Sequence, residues 1–160
     1  QQDAIKRISV DTLVRVLGGE FACHYDRIHV LDCRFPYEYD GGHITGAINI
    51  NTPEALDAYF FGKLNAATIP SKQSHRTLAV LHCEFSAQRA PRLALYLRSR
   101  DRELNAEHYP HLHYPELYVM DGGYRAFFAK HKLHCEPQQY VPMADQAHRQ
   151  DCKTHARRLR

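Results

Sequence analysis

Residues 77–92, TLAVLHCEFSAQRAPR, constrain the fold more than any other stretch of the chain. TLAVLH is an unbroken apolar run of strand length, and such a run is buried on both faces of a sheet. From Gln88 to Leu104 the period changes. Leu93, Leu97 and Leu104 fall inward on a helix, with Arg98, Asp101 and Arg102 outward, and Pro91 sits in the first turn, where a missing N–H costs little. A buried strand feeding a helix through a short polar loop is one half of a parallel α/β unit.

Other segments repeat the alternation. Ser9 caps a predicted helix with Val10, Leu13, Val14 and Leu17 at helical spacing, stopped by Gly18-Gly19. RIHVLD (27–32) reads as a strand entering a loop rich in Pro, Gly and acidic residues. AINI (47–50) reads as a short buried strand, and HRTLAVLH (75–82) as the strongest strand. PEALDAYFFGKL (53–64), with Pro at its start, reads as a helix. ELYVM (116–120) reads as a strand, and Gly122-Gly123 leads into a last helix, YRAFFAKH. The pattern predicts a parallel sheet covered on both faces. The tail beyond Pro142 is polar and ends HARRLR, which reads as a loosely held helix or a disordered segment.

At 160 residues this is one domain, large enough to bury a real core. The net charge of +3 suits an acidic or phosphorylated partner and is too small to argue for nucleic acid. No apolar leader or membrane-length run is visible, and a chain that starts at Gln1 rather than Met is expected to be a fragment of a longer protein. The five Cys are odd in number and show neither a disulfide framework nor a CxxC, so an intracellular, reducing setting is expected. Twelve His raise the question of zinc. Yet His131, His134 and Cys135, or His111 and His113, have no second ligand pair at zinc-finger spacing, so no metal is expected.

Cys83 and Arg89 lie six positions apart, a spacing that is weak evidence alone, since Cys152 and Arg158 repeat it in the tail. Position separates the two pairs. Cys83 falls where a buried strand ends and a helix begins, the edge at which α/β sheets bind ligands. A loop of Glu84, Phe85, Ser86, Ala87 and Gln88 wrapped around an anion would aim backbone N–H groups at phosphate oxygens. The same field favours the thiolate form of a cysteine there, and the thiolate is the nucleophile. Arg89 can grip two phosphate oxygens and stabilise transition-state charge. The set can move a phosphoryl group onto sulfur and then onto water. The bland alternative is a buried structural Cys beside a surface Arg.

HCEFSAQRAPR resembles the active-site loop of the M-phase inducer phosphatases, the dual-specificity enzymes of the cell-division cycle. LDCRFPYEYDGGHITGAINI (31–50) resembles that family's signature and the broader rhodanese pattern. YPELYVMDGGYRAFF (114–128) and CEPQQYVPM (135–143) resemble its later blocks. The resemblance implies a rhodanese-like α/β fold over residues 1–143, a central parallel sheet flanked by helices, followed by a basic tail, 144–160. It implies a monomeric, cofactor-free phosphatase of nucleus and cytoplasm. Its implied substrate is the phosphothreonine and phosphotyrosine of the inhibitory loop of cyclin-dependent kinases in their cyclin complexes, whose removal promotes entry into mitosis. Five residues between Cys83 and Arg89 make a wider cradle than the sulfur-transferring relatives carry. Arsenate reductases share the spacing, so arsenate reductase or sulfurtransferase, and a non-catalytic kinase-docking module, stay as alternatives.

By the same resemblance Cys83 is the nucleophile, Arg89 the phosphate clamp and Glu84 the usual candidate for general acid, unless it is only a solvated loop carboxylate. Gln88 and Ala90 depart from the family, which has Glu at the first position and often Gly at the second. Ser86 either donates a hydrogen bond to the thiolate or merely shapes the loop. Cys33 matches a second cysteine that forms a disulfide with the catalytic one and traps its sulfenic acid; otherwise it is a small core residue. Asp32 and Arg34 are expected to pair and hold the loop. Arg98, Arg102 and Tyr109 match a remote patch that docks an acidic kinase surface, against the alternative of an ordinary solvated face. The tail arginines Arg149, Arg157, Arg158 and Arg160 could extend it.

Overall fold

The computed structural model describes residues 4–65 and 67–158. Its centre is a five-stranded sheet of order β1-β6-β5-β2-β4, all pairs parallel: β1 Lys6–Ile8, β2 Arg27–Asp32, β4 Ile48–Asn49, β5 Thr77–His82 and β6 Glu116–Met120. A short antiparallel ribbon joins β3 His43–Ile44 to β7 Cys135–Glu136. The helices are α1 Val10–Leu17, α2 Pro36–Asp40, α3 Pro53–Phe61, α4 Arg89–Leu104, α5 Gly123–His131 and α6 Arg149–Arg158.

Side chains alternate across a strand, so one apolar run feeds two cores. Ala79 and Leu81 of β5 pack with Leu31, Val119 and the apolar faces of α3 and α4, including Leu56, Phe60, Leu93 and Leu97. Leu78 and Val80 pack on the other face with Val30, Met120 and residues of α1 and α5, among them Leu13, Tyr124 and Phe127. The sheet is therefore covered on both faces, as its sequence requires.

Several elements differ from the expectations. Residues 36–40 form a helix inside what reads as a loop, because Pro36 sits at its first position and Glu38 accepts a hydrogen bond from the Phe35 N–H. Only Ile48 and Asn49 of AINI pair as a strand, and Ile48 is exposed rather than buried. Residues 72–76 close a 3-10 turn, so β5 begins at Thr77. α3 stops at Phe61, short of Leu64. Asp101 does not face solvent: it is buried and accepts from the His113 and Tyr114 N–H groups and from Asn105 Nδ2, tying α4 to the chain that returns towards β6. In the tail, residues 149–158 form a helix, α6, with no buried residue, the first of the two expected states, and Arg160 lies outside the described residues. No described helix is long and apolar enough to cross a membrane.

Candidate active site

Cys83 follows β5 directly, and the parallel register that pairs Asp32 with His82 sets Cys33 beside it at the carboxyl edge of the sheet. The Cys33 N–H closes this edge by donating to the His82 carbonyl at 2.7 Å. Both thiols are buried, and no disulfide joins them. Burial first, then the charges of Cys83 and Asp32, push the Cys33 thiol well above its ordinary range, which keeps it protonated. Of the two sulfurs, Cys83 alone is met by a helix N-terminus.

That helix is α4. Gln88 caps it without a side-chain hydrogen bond and Pro91 brings no N–H, so little competes for the free donors of its first turn. The Ala90 N–H points at Cys83 Sγ, 3.4 Å away, and the positive end of the helix dipole lies against the sulfur. Between strand and helix the chain must reverse tightly. Ser86 takes φ of 55°, the only positive value at a non-glycine among the described residues. Its hydroxyl is buried and makes no hydrogen bond among the described residues, so of its two readings the loop-shaping one fits, and the sulfur accepts from the Ala90 N–H. Phe85, by contrast, is 52% exposed at the rim, with the Arg125 guanidinium 5.9 Å from its ring.

The loop is held from below. Backbone N–H groups of Tyr124 and Arg125, in the first turn of α5, donate to the Cys83 and Glu84 carbonyls at 2.9 and 3.0 Å. This close approach needs Gly123, whose φ is 65° and where a Cβ would lie 2.3 Å from the Glu84 oxygen. Beneath it, Arg34 and Asp32 pair at 2.6 Å, fully buried, as expected, and Arg34 also donates to the Gly42 carbonyl and covers the Tyr124 ring. Breaking such a buried pair by removing one partner costs about 3–5 kcal/mol. His82 lies over this pair. Its burial lowers its basicity, with Arg34 adding to the effect and Asp32 opposing it, so the ring is neutral.

Glu38 was not singled out by sequence, yet it organises the site. Its carboxylate accepts from Arg89 Nη1 and Nη2 at 2.7 and 3.0 Å and from the Phe35 N–H at 2.8 Å. Burial works against the Arg89 charge, but these hydrogen bonds and the negative charge of Glu38, with that of Cys83 and Glu84, outweigh it and hold the guanidinium above its ordinary range. Two N–H groups go to Glu38, and the rest of the fork remains for an anion. Phe35 closes the guanidinium from another side, 5.0 Å from its ring centroid.

Glu84 is buried, not solvated. Tyr140 donates to its Oε2 and the Met143 N–H to its Oε1, and burial and this carboxylate raise the Tyr140 phenol far above its usual range. Tyr140 also stacks on Tyr124 and Phe128, so residues 139–143 are pinned against the loop. Arg98, Arg102 and Tyr109 lie on another surface, along α4 and just past it. Tyr109 is 86% exposed, Arg102 is exposed, and Arg98 is half-buried with Nη2 3.3 Å from the Pro115 carbonyl. Among the described residues no group of three or more His, Cys, Asp and Glu is arranged to hold a metal ion; His131 is held by Asp11 at 2.6 Å.

The model of the rhodanese-like domain matches residues 20–130. The chain is 45% identical over 152 residues to the M-phase inducer phosphatase of Schizosaccharomyces pombe, covering 95% of this chain and 24% of that protein. It is 44% identical over 156 residues to M-phase inducer phosphatase 3 of Homo sapiens, 98% of this chain and 31% of that protein. It therefore spans about a quarter to a third of the length of these relatives. Among solved structures, the As-Sb reductase from Leishmania major matches with a TM-score of 0.58 at 26% identity, over 80% of this chain and 79% of that one. A yeast protein tyrosine phosphatase of the rhodanese family matches with a TM-score of 0.55 at 23% identity, over 82% and 90%. This chain belongs to the rhodanese-like domain family, and its curated homologues are M-phase inducer phosphatases.

Proposed function

We propose that this domain is a cysteine-dependent, dual-specificity protein phosphatase that removes phosphate from phosphotyrosine and phosphothreonine of cyclin-dependent kinases. One observation carries the reading: across a single loop, a buried sulfur receives a helix N–H while an arginine six residues on is fixed by Glu38 with donors to spare. A tetrahedral dianion suits a cradle that offers backbone donors, a helix N-terminus and a guanidinium.

In the first step Cys83 Sγ attacks phosphorus in line with the leaving oxygen. A P–S bond forms, the P–O bond breaks, and the released oxygen takes a proton. Arg89 and the loop amides bind the equatorial oxygens as charge redistributes. Water then attacks the phosphocysteine, the P–S bond breaks, and inorganic phosphate leaves with the thiolate restored. Glu84 is our candidate proton donor, but its carboxyl is spent on Tyr140 and Met143, so donation requires it to leave both partners. Arg98, Arg102 and Tyr109 we assign to docking the kinase–cyclin complex, with the exposed tail cations as an extension. We assign the domain to a reducing, intracellular compartment of nucleus or cytoplasm, on the odd number of its cysteines and their lack of a disulfide framework in the sequence.

Acid-quenching the protein during turnover of an aryl phosphate and weighing its peptides tests the chemistry. The expected product is one phosphoryl group on the peptide bearing Cys83. Turnover with no such adduct, or with arsenate reduced and aryl phosphate untouched, would contradict the proposal and favour the reductase relatives of the same fold.

A further inference from the structure

Helix α6 is ten residues long, strongly polar, and has no fully buried residue of its own. A helix this short and polar is not stable alone, so it must be held by what it touches. His155 lies on α6, and His148 ends the 3-10 turn, Gln146–His148, that leads into it. His148 stacks on Tyr37 at 4.7 Å between ring centroids, 10° from parallel, and His155 stacks on Phe35 at 5.2 Å and 22°. The Tyr37 hydroxyl donates to the Met143 carbonyl at 2.6 Å, where the chain turns towards α6. Phe35 and Tyr37 are nearly inaccessible to solvent with α6 in place.

These same residues carry the arginine clamp. Phe35 lies 5.0 Å from the Arg89 guanidinium and gives its N–H to the Glu38 oxygen that also binds Arg89 Nη1. Glu38 holds the guanidinium by two hydrogen bonds, and the Phe35 ring packs beside it. The ring is in turn fixed by His155. We propose that His155, acting through Phe35, is a positioning residue for Arg89, with His148 on Tyr37 as the second pin of α6, so that the docked C-terminal helix sets the geometry of the phosphate grip. This deepens the phosphatase reading and rests on Arg89 being the phosphate clamp.

An aromatic pair held in place contributes enough that its loss should weaken anion binding roughly three- to tenfold. The test measures phosphate affinity by calorimetry, together with kcat and KM for a small aryl phosphate, on the whole domain. In His155→Ala the Kd of inorganic phosphate should rise roughly three- to tenfold and kcat/KM should fall at least as far. His155→Phe, which keeps a stacked ring, should restore both to within about twofold. A purely structural role would lower the active fraction, and hence kcat, while leaving the phosphate Kd of the folded molecules unchanged. An unchanged Kd in His155→Ala overturns the proposal, as does a His155→Phe protein no better than His155→Ala. Loss confined to a phosphoprotein substrate, with small-molecule kinetics intact, also overturns it, because the helix would then be touching substrate rather than setting the clamp. Should His155→Ala not fold, Phe35→Leu keeps the apolar volume without the ring, and the same weakening is required of it. A wild type that binds phosphate but hydrolyses nothing refutes the phosphatase reading, and the phosphate Kd of the variants still decides the positioning role.

Discussion

Glu38 and Arg89 meet through two hydrogen bonds, 2.7 and 3.0 Å long, from positions 51 apart in the chain. The contact joins the segment after β2 to the first residue of α4, and it decides where the guanidinium can go. Glu38→Gln keeps an acceptor for the Phe35 N–H but loses the charge and half of the fork. We expect kcat/KM on an aryl phosphate to fall by about tenfold or more. Stability should fall by about 1–3 kcal/mol, read by urea unfolding. Arg89→Lys should be worse than Glu38→Gln in activity, since an ammonium cannot serve a bidentate site on one side and an anion on the other.

Glu84 separates two roles by substrate. A serine or threonine oxygen leaves as a far stronger base than a tyrosine phenolate, whose conjugate acid ionises near pH 10. If Glu84 gives the proton, Glu84→Gln should lose about 10²-fold or more on phosphothreonine and much less on phosphotyrosine. Equal losses on both peptides would mean that the carboxylate only braces the loop against Tyr140 and Met143.

Cys33 and Cys83 stand side by side with no bond between them. One equivalent of peroxide should convert Cys83 to a sulfenic acid, which condenses with the Cys33 thiol to a disulfide and water. Activity should return on adding dithiothreitol. In Cys33→Ser the same treatment should become irreversible with excess peroxide, and mass spectrometry should find sulfinic or sulfonic acid on Cys83. Full recovery in Cys33→Ser would contradict a protective role.

Burial keeps His82 neutral in the folded protein, with its basicity below the ordinary histidine value of 6.5. The unfolded chain therefore binds a proton here that the folded chain refuses. The stabilisation is complete above about pH 6.5 and is lost as pH falls below it, with a slope approaching about 1.4 kcal/mol per pH unit. His82→Asn, which keeps an acceptor and donor near the Cys83 carbonyl, should flatten that part of the stability–pH curve. An unaltered slope would place the proton uptake elsewhere.

The sequence showed the β5–loop–α4 unit because each part has a local cause: an apolar run of strand length, a helical period, a proline tolerated in a first turn. Gly122-Gly123 was equally legible as the entry to α5, though not its reason, which is the approach to the Glu84 carbonyl. Glu38 was hidden for the opposite reason. Nothing local marks a carboxylate whose partner lies 51 residues away; its only signal is an acidic residue between Tyr37 and Tyr39, behind a proline that starts a helix. Asp101 was misplaced although the period was correct. It falls four positions after Leu97 and three before Leu104, on the inward stripe, and polarity was allowed to outweigh spacing. The backbone N–H groups of His113 and Tyr114 supply the partners that make an inward carboxylate tolerable. The contact of α6 and the turn before it with Phe35 and Tyr37 escaped likewise, because His148 and His155 count as polar in a hydropathy pattern while packing as flat rings.

The central claim is that Cys83 removes phosphate from a doubly phosphorylated cyclin-dependent kinase–cyclin complex. The most direct measurement compares phosphate release by the wild type and by Cys83→Ser in reducing buffer containing a metal chelator. The account predicts release by the wild type alone, with Cys83→Ser still binding the complex and inorganic phosphate. Release by both proteins, or by neither while each binds the complex, would contradict it.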